Sequence, residues 1–356
     1  MRKLHIVHIS LACLFMLCEA HAQEAEALLS TAPAYQKGIQ YYDQEDWPEA
    51  ARWLRQAVAE DPQNEAAWYD LALVYFKMND YLETELTLEK LFSLNPLHAG
   101  AQGLYGLTLY HRGAFARAIK AFNYAIENEP KKELRLARAY SYIAAGSPKY
   151  ALPDFDEILY DDPGNFKACL GKGAALMELG QHKYAIRFFN RMLDFDPGHT
   201  EALTNRAVSY FYLGEQEKSA ADFELALSLK PTAAVFIAEA KCNLKAKNFP
   251  AASADIKSAI RSSPENAEVY FVLGEIEMAK GAYRKAKQSF DIALDLDHTF
   301  VDCYLSRSEA VAMVADYEMA IEDLYQVLDR EPGNKKAKDM LLWVYAKMDK
   351  EILLSK

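Results

Sequence analysis

Proline marks a fixed interval along this chain. Pro62, Pro96, Pro130, Pro163, Pro197, Pro231, Pro264 and Pro332 fall on a ladder with rungs 34 or 33 residues apart, and His298 fills the one rung without a proline. An interval of that length, kept through nine copies, describes one supersecondary unit repeated end to end. It overrides the two or three globular domains that 356 residues would otherwise suggest. Each unit touches mainly its neighbours, so the array lengthens without one large core.

Three further places obey the same interval. The first is small in every copy: Gly38, Ala72, Gly106, Ala139, Gly173, Ala207, Ala240, Gly274 and Ser308. Twelve residues on, a second is small as well: Ala50, Thr84, Ala118, Ala151, Ala185, Ser219, Ala252, Ala286 and Ala320. Four residues further, the third is always large and apolar: Leu54, Leu88, Phe122, Phe155, Phe189, Phe223, Ile256, Phe290 and Leu324. Two short helices meeting at small residues explain the first pair of places, because their backbones approach closely there. The large residues are then the wedges. Between the two helices stands Gly113, Gly146, Gly180, Gly214 or Gly281 in five copies, where a left-handed residue closes a helix cheaply. Proline stops the second helix, since it lacks an N–H and restricts the residue before it. The clearest copy runs from Ala267 to His298.

These residues resemble the tetratricopeptide repeat, whose pattern runs large apolar or Trp, Leu-Gly, Tyr, then Ala, Phe, Ala, Pro. Trp68, Leu71, Ala72 and Tyr75 match its first helix closely. The resemblance implies an all-α fold: a right-handed α-solenoid, or superhelix, of about nine tetratricopeptide helix-turn-helix repeats plus a C-terminal capping helix. The repeats are expected at 31–64, 65–98, 99–132, 133–165, 166–199, 200–232, 233–266, 267–300 and 301–334. Residues 335–356 supply the cap, with Ala337, Leu341, Leu342, Val344, Tyr345 and Met348 on its apolar side. In the fourth repeat Pro148 and Pro153 predict a late start or a kink in the second helix, the alternative being that Pro153 simply begins a regular one.

Residues 1–22 stand apart from the array. Arg2 and Lys3 precede a mostly apolar run from Leu4 to Leu17, and Ala20-His21-Ala22 has the small residues a signal peptidase reads. We read an export signal cleaved after Ala22, followed by a linker at 23–30. The expected location is periplasmic or envelope-associated, in a bacterium. The competing readings are an uncleaved N-terminal anchor and a lipoprotein that uses Cys18. No later apolar run approaches the length of a membrane span, so none is expected after cleavage.

The formal net charge is −11, and loss of the signal makes it one unit more negative. That disfavours nucleic acid, whose phosphates call for a basic track. Cys169, Cys242 and Cys303 lie in first helices of separate units, too far apart to pair, and read as core thiols. Chemistry is poorly represented. Gly171-Lys172-Gly173 lies inside a first helix without the full phosphate-loop spacing, and His98, His111, His182, His199 and His298 sit at turns of different units. No enzyme activity, metal or cofactor is expected.

The resemblance places certain first-helix residues on a concave inner wall that, in the family, usually holds a peptide or partner helix. Here Tyr35, Tyr42, Tyr69, Leu73, Phe76, Tyr110, Tyr140 and Phe211 would make it apolar and aromatic through six units. Glu268, Phe271, Glu275 and Glu309 would change its character further on. The expected partner is a protein or peptide whose apolar side chains enter the N-terminal part and whose cationic end enters the C-terminal part. The competing reading makes several of these side chains core, buried between units. A clamp of Lys and Asn for a C-terminal carboxylate, found in some members, is not matched: Asn205 has Leu170 and Ala174 before it and Ala234 and Ala238 after it. Two other functions stay open, a structural part of an envelope complex packing through its convex face and a carrier of a small apolar or glycan ligand.

One covariation is internal to the array. Where Arg replaces Leu at one first-helix place, Asp stands sixteen residues later: Arg138 with Asp154, Arg206 with Asp222, Arg307 with Asp323. We expect an ion pair between the two helices of each of these units, fixing register more than adding stability.

Overall fold

A computed structural model describes residues 33–354; the signal, cleavage and linker expectations lie outside them. Every regular element among the described residues is helical. They form two compact units that divide between Met192 and Leu193. In the first stand α1 (Pro33–Asp43), α2 (Trp47–Glu60), α3 (Glu65–Lys77), α4 (Tyr81–Leu94), α5 (Ala99–His111), α6 (Phe115–Asn128), α7 (Lys132–Ala144), α8 (Leu152–Asp161), α9 (Phe166–Glu178) and most of α10 (His182–Phe195). The second holds α11 (Thr200–Tyr212), α12 (Gln216–Leu229), α13 (Ala233–Lys245), α14 (Phe249–Ser262), α15 (Ala267–Ala279), α16 (Tyr283–Leu296), α17 (Val301–Ala312), α18 (Tyr317–Arg330) and α19 (Lys335–Leu354). None is long and apolar enough to cross a membrane.

Local chemistry sets these boundaries. Asp46, Asn64, Asp80, Asn165, Asn248, Asn266 and Asp316 each accept a first-turn backbone N–H at a helix start, satisfying a donor the helix cannot. His98 and His199 do the same through Nδ1. First helices close on a left-handed residue. Gly113, Gly146, Gly180, Gly214 and Gly281 have φ between 68° and 78°, and Glu45, Asn79, Lys247 and Ala315 adopt φ of 58° to 63° at the same place. Ala315 is exposed and carries a β-carbon into a region that costs non-glycine residues roughly 1–2 kcal/mol. Ala315→Gly should therefore stabilise the second unit by roughly 0.5–1 kcal/mol after the added chain entropy, read as a higher urea midpoint; a lower one contradicts it.

Between helices the small and large places interlock. Leu54, Leu88, Phe122, Phe155, Phe189, Ile256, Phe290 and Leu324 are fully buried and Phe223 nearly so. A β-carbon on Gly106 would stand 2.6 Å from Phe122 Cε1, and one on Gly38 2.7 Å from Leu54 Cγ. A β-carbon at either place would force the ring or leucine seated on it to shift. Leu54, Leu88, Phe122, Phe155, Ile256, Phe290 and Leu324 each belong to a cluster shared with the next helix, so the core is a succession of small clusters. Two ladder residues also accept a side-chain hydrogen bond: Trp68 Nε1 donates to Pro62 O at 3.0 Å, and Tyr304 Oη to His298 O at 3.3 Å.

Two expectations about the ends of elements resolve differently. In the fourth repeat Pro148 opens a short 3-10 turn, Pro148–Ala151, and Pro153 sits in the first turn of α8, so the α-helix starts late. On α19 Ala337 and Val344 are buried against the Leu324 cluster, but Leu342 and Tyr345 do not belong to that side. Leu342 is 70% exposed, at the place where the other first helices carry Gly, Ala or Ser. Cys169, Cys242 and Cys303 are free thiols in the core.

Candidate functional site

Burial divides the expected wall. Tyr35, Tyr69, Leu73, Phe76 and Tyr140 are only 4–7% exposed, which removes them as partner contacts. They are core because the next repeat leans on this side of its predecessor. Tyr35 Oη donates to Asp70 at 2.6 Å, and burial pushes the Asp70 carboxyl up to about 6 against the pull of that bond. The Tyr69 ring stacks on His98 at 5.2 Å. Phe76 meets Tyr81 and His111 edge-on, and Tyr140 Oη donates to Lys167 O at 2.7 Å. Burial holds His111 below the usual histidine range. Tyr42 and Tyr110 are half-buried, packed edge-on to Trp47 and Phe115, and Phe211 is half-buried beside Tyr212.

In the second unit the row is charged and half-buried, with Glu309 and Lys336 exposed at its end. Lys241 of α13 pairs with Glu268 of α15 at 2.5 Å, and Glu309 of α17 with Lys336 of α19 at 3.6 Å. Both pairs join one place on a first helix to a place 27 residues later on the next. Glu275 of α15 and Asp302 of α17 repeat that relation with two carboxylates. Burial raises the Glu275 carboxyl, Asp302 and Glu268 add to the rise, and Lys241 and Lys336 oppose it. Phe271 stacks at a tilt against Phe300 at 4.8 Å, forming an apolar floor beside the charges. The result is three rungs: a neutralised pair, an acidic pair, and a second neutralised pair. Glu268, Phe271, Glu275 and Glu309 came from the sequence pattern. Lys241 and Lys336 did not, although the same two places read one repeat further each way contain them.

All three arginine–aspartate pairs form with two bonds each. Arg138 Nε and Nη2 meet Asp154 at 2.8 and 2.5 Å, Arg206 meets Asp222 at 2.7 and 2.8 Å, and Arg307 meets Asp323 at 2.9 and 2.7 Å. Arg138 and Arg307 also reach into the preceding repeat. Arg138 Nη1 donates to Asn123 on α6 at 2.8 Å, and Arg307 Nη1 to Asp291 on α16 at 2.6 Å. A fourth charged joint was not foreseen: Glu85, buried on α4, takes Arg112 and Arg117 from the next repeat. Among the described residues no cluster of His, Cys, Asp or Glu could hold a metal.

Known proteins agree with this architecture. A family model described as tetratricopeptide repeat matches residues 69–133, 136–200 and 238–298, more than half of the chain. Two others match 38–79 (TPR repeat) and 200–232 (tetratricopeptide repeat). No curated protein matches. Among solved structures, a tetratricopeptide repeat protein from Parabacteroides merdae has a TM-score of 0.62 at 18% identity, over 70% of this chain and 99% of that one. YrrB, described as a TPR protein with an unusual peptide-binding site, has a TM-score of 0.48 at 21% identity, over 56% and 100%. Yeast Tom70 has 0.45 at 16% identity, over 92% and 89%. The first of these supports the fold and no more. With the interlocking helix pairs and the matches spanning most of the array, the chain belongs to the tetratricopeptide repeat family.

Proposed function

We propose that this protein is an exported, non-enzymatic scaffold that binds a basic segment of a partner protein along the first helices of its second unit. The fold class supports an interaction scaffold in general. The observation that carries the finer reading is the middle rung. Lys241 and Lys336 complete the flanking rungs from within the chain, whereas the middle rung has an acid at both places, Glu275 and Asp302, and Asp302 adds to the rise of the Glu275 carboxyl. A lysine or arginine side chain from a partner supplies the missing charge there. Arginine suits the place better, since its planar fork can meet both carboxylates. Phe271 offers apolar surface to the stem of that side chain. The half-buried Tyr42, Tyr110 and Phe211 leave less apolar wall for a partner than the sequence pattern implies. The acidic balance of the whole chain favours approach of a basic partner and weakens as salt rises.

Selection of random peptides on the purified protein tests this. Peptides bearing Lys or Arg should be enriched, and their affinity should fall roughly tenfold in Glu275→Gln/Asp302→Asn, the loss expected when a charge-assisted hydrogen bond goes. Enriched peptides without basic residues, or the same affinities in the double variant, would remove the reading.

A further inference from the structure

The second helices of the repeats differ along one stripe: the residue after each helix start and those four and eight further on, which share a face. On α10 the stripe reads Lys183, Arg187 and Arg191, and the helix has no acid before Asp194. On α18 its first two places are Glu318 and Glu322. No other described second helix holds three cations there or opens with two acids. Lys183, Arg187, Glu318 and Glu322 are exposed, and Arg191 is half-buried. None of the five forms an ion pair among the described residues. A chain of net charge −11 therefore keeps an unpaired basic stripe on one helix and an unpaired acidic stripe, in the same register, on another. We propose that the protein self-associates head to tail, the α10 stripe of one copy docking on the α18 stripe of the next.

Apolar surface accompanies both stripes. Tyr184 is exposed beside Lys183, and the Arg187 guanidinium lies over its ring at 5.6 Å. The same Lys-Tyr pair recurs one repeat earlier as Lys149 and Tyr150, both exposed. On the acidic side Tyr325 is exposed and follows Glu318 and Glu322 on the same face, two turns after the first of them. Its hydroxyl stands 3.2 Å from that of Tyr345, and Leu342, exposed as well, lies one turn before Tyr345 on α19. Exposed apolar side chains rimmed by charge are the make-up of an association surface. The occupant follows from the chain itself, which carries both halves at one spacing. Two helices laid antiparallel bring Lys183 to Glu322 and Arg187 to Glu318. The contact is heterologous, so each copy that docks brings a further stripe of the kind it has just covered. Exposed ion pairs are individually weak and screened by salt, which makes the assembly dependent on concentration and ionic strength. It is independent of Glu275 and Asp302, which none of its contacts uses.

Sedimentation velocity on the purified protein, from about 5 to about 500 µM in about 50 mM salt, reads the association. The wild type should grow in mass with concentration and return to monomer in about 0.5 M salt. Lys183→Glu/Arg187→Glu and Glu318→Lys/Glu322→Lys should each weaken association about tenfold or more, since each sets like charges against one another. Mixed together, the two variants should form a 1:1 dimer and nothing larger, because one intact stripe of each kind remains. Circular dichroism checks that both fold, and Glu318→Gln/Glu322→Gln replaces the lysine variant if that one does not. A wild type that stays monomeric throughout, association unchanged by either reversal, or a mixture no heavier than its components overturns the proposal. So does a monomer that binds phosphatidylglycerol vesicles through Lys183 and Arg187, which would give the basic stripe to a membrane.

Discussion

Phe122→Ala should cost the first unit about 3–5 kcal/mol, the range for deleting a large aromatic from a close-packed core. The ring is fully buried, and Gly106 approaches it so closely that a β-carbon there would lie within 2.6 Å of Cε1. Nothing nearby can fill the hole without moving a helix, because Ala118 and Ala125 hold the same helix against its neighbours and are themselves fully buried. The opposite change tests the same fit. Gly106→Val overfills the seat and should cost about 1–3 kcal/mol. Combining Gly106→Ala with Phe122→Leu reproduces the pair already present as Ala72 and Leu88, so the double variant should lose less than the two single changes summed. Urea unfolding followed by circular dichroism gives the size of each loss. Hydrogen exchange places it, since repeat arrays open locally. A cost below about 1 kcal/mol for Phe122→Ala would mean that the wedge is not what joins the helices.

How far the sequence could be read depended on how many residues share a cause. The small and large places were legible because one steric fit recurs in every repeat, and Gly106 with Phe122 is a single instance of it. Register between helices was legible for the same reason, through Arg138, Arg206 and Arg307 with their aspartates. The left-handed closure was only half visible. Glu45, Asn79, Lys247 and Ala315 adopt it without glycine, because backbone bonds of the turn impose the conformation whatever the side chain. The candidate wall was the least legible part. Pattern gives the side of a helix on which Tyr35, Tyr69 and Phe76 lie, but whether the neighbouring repeat covers that side depends on how steeply successive helices lean, which no single residue encodes. Charged places fared better, since Glu268, Glu275 and Glu309 resist full burial unless neutralised.

Arg307→Ala is expected to destabilise the second unit by about 3–5 kcal/mol, through the charge it leaves behind rather than the bonds it removes. Asp323 is 2% exposed, and Arg307 donates two hydrogen bonds to it and a third to Asp291. Asp291 keeps Lys287 at 2.7 Å when the arginine goes; Asp323 loses the pair that neutralised it. Burial already pushes the Asp323 carboxyl up, and the Arg307 guanidinium is what draws it back down. Without that guanidinium the folded-state carboxyl rises further above its unfolded value. The variant then gains stability by binding a proton below the ordinary aspartate range and loses it as pH rises, so its deficit against wild type should be larger at pH 8 than at pH 5. Arg307→Lys should recover only part of the loss, because an ammonium cannot bridge both carboxylates with the same fork. Replacing both partners, as in Arg307→Leu/Asp323→Leu, should cost much less than Arg307→Ala alone, since no buried charge remains and two apolar side chains occupy the space. Urea midpoints for the four proteins at the two pH values decide the matter. If the double variant is as unstable as Arg307→Ala, or if the Arg307→Ala deficit does not change with pH, the cross-brace stabilises by its bonds and not by neutralising a buried carboxylate.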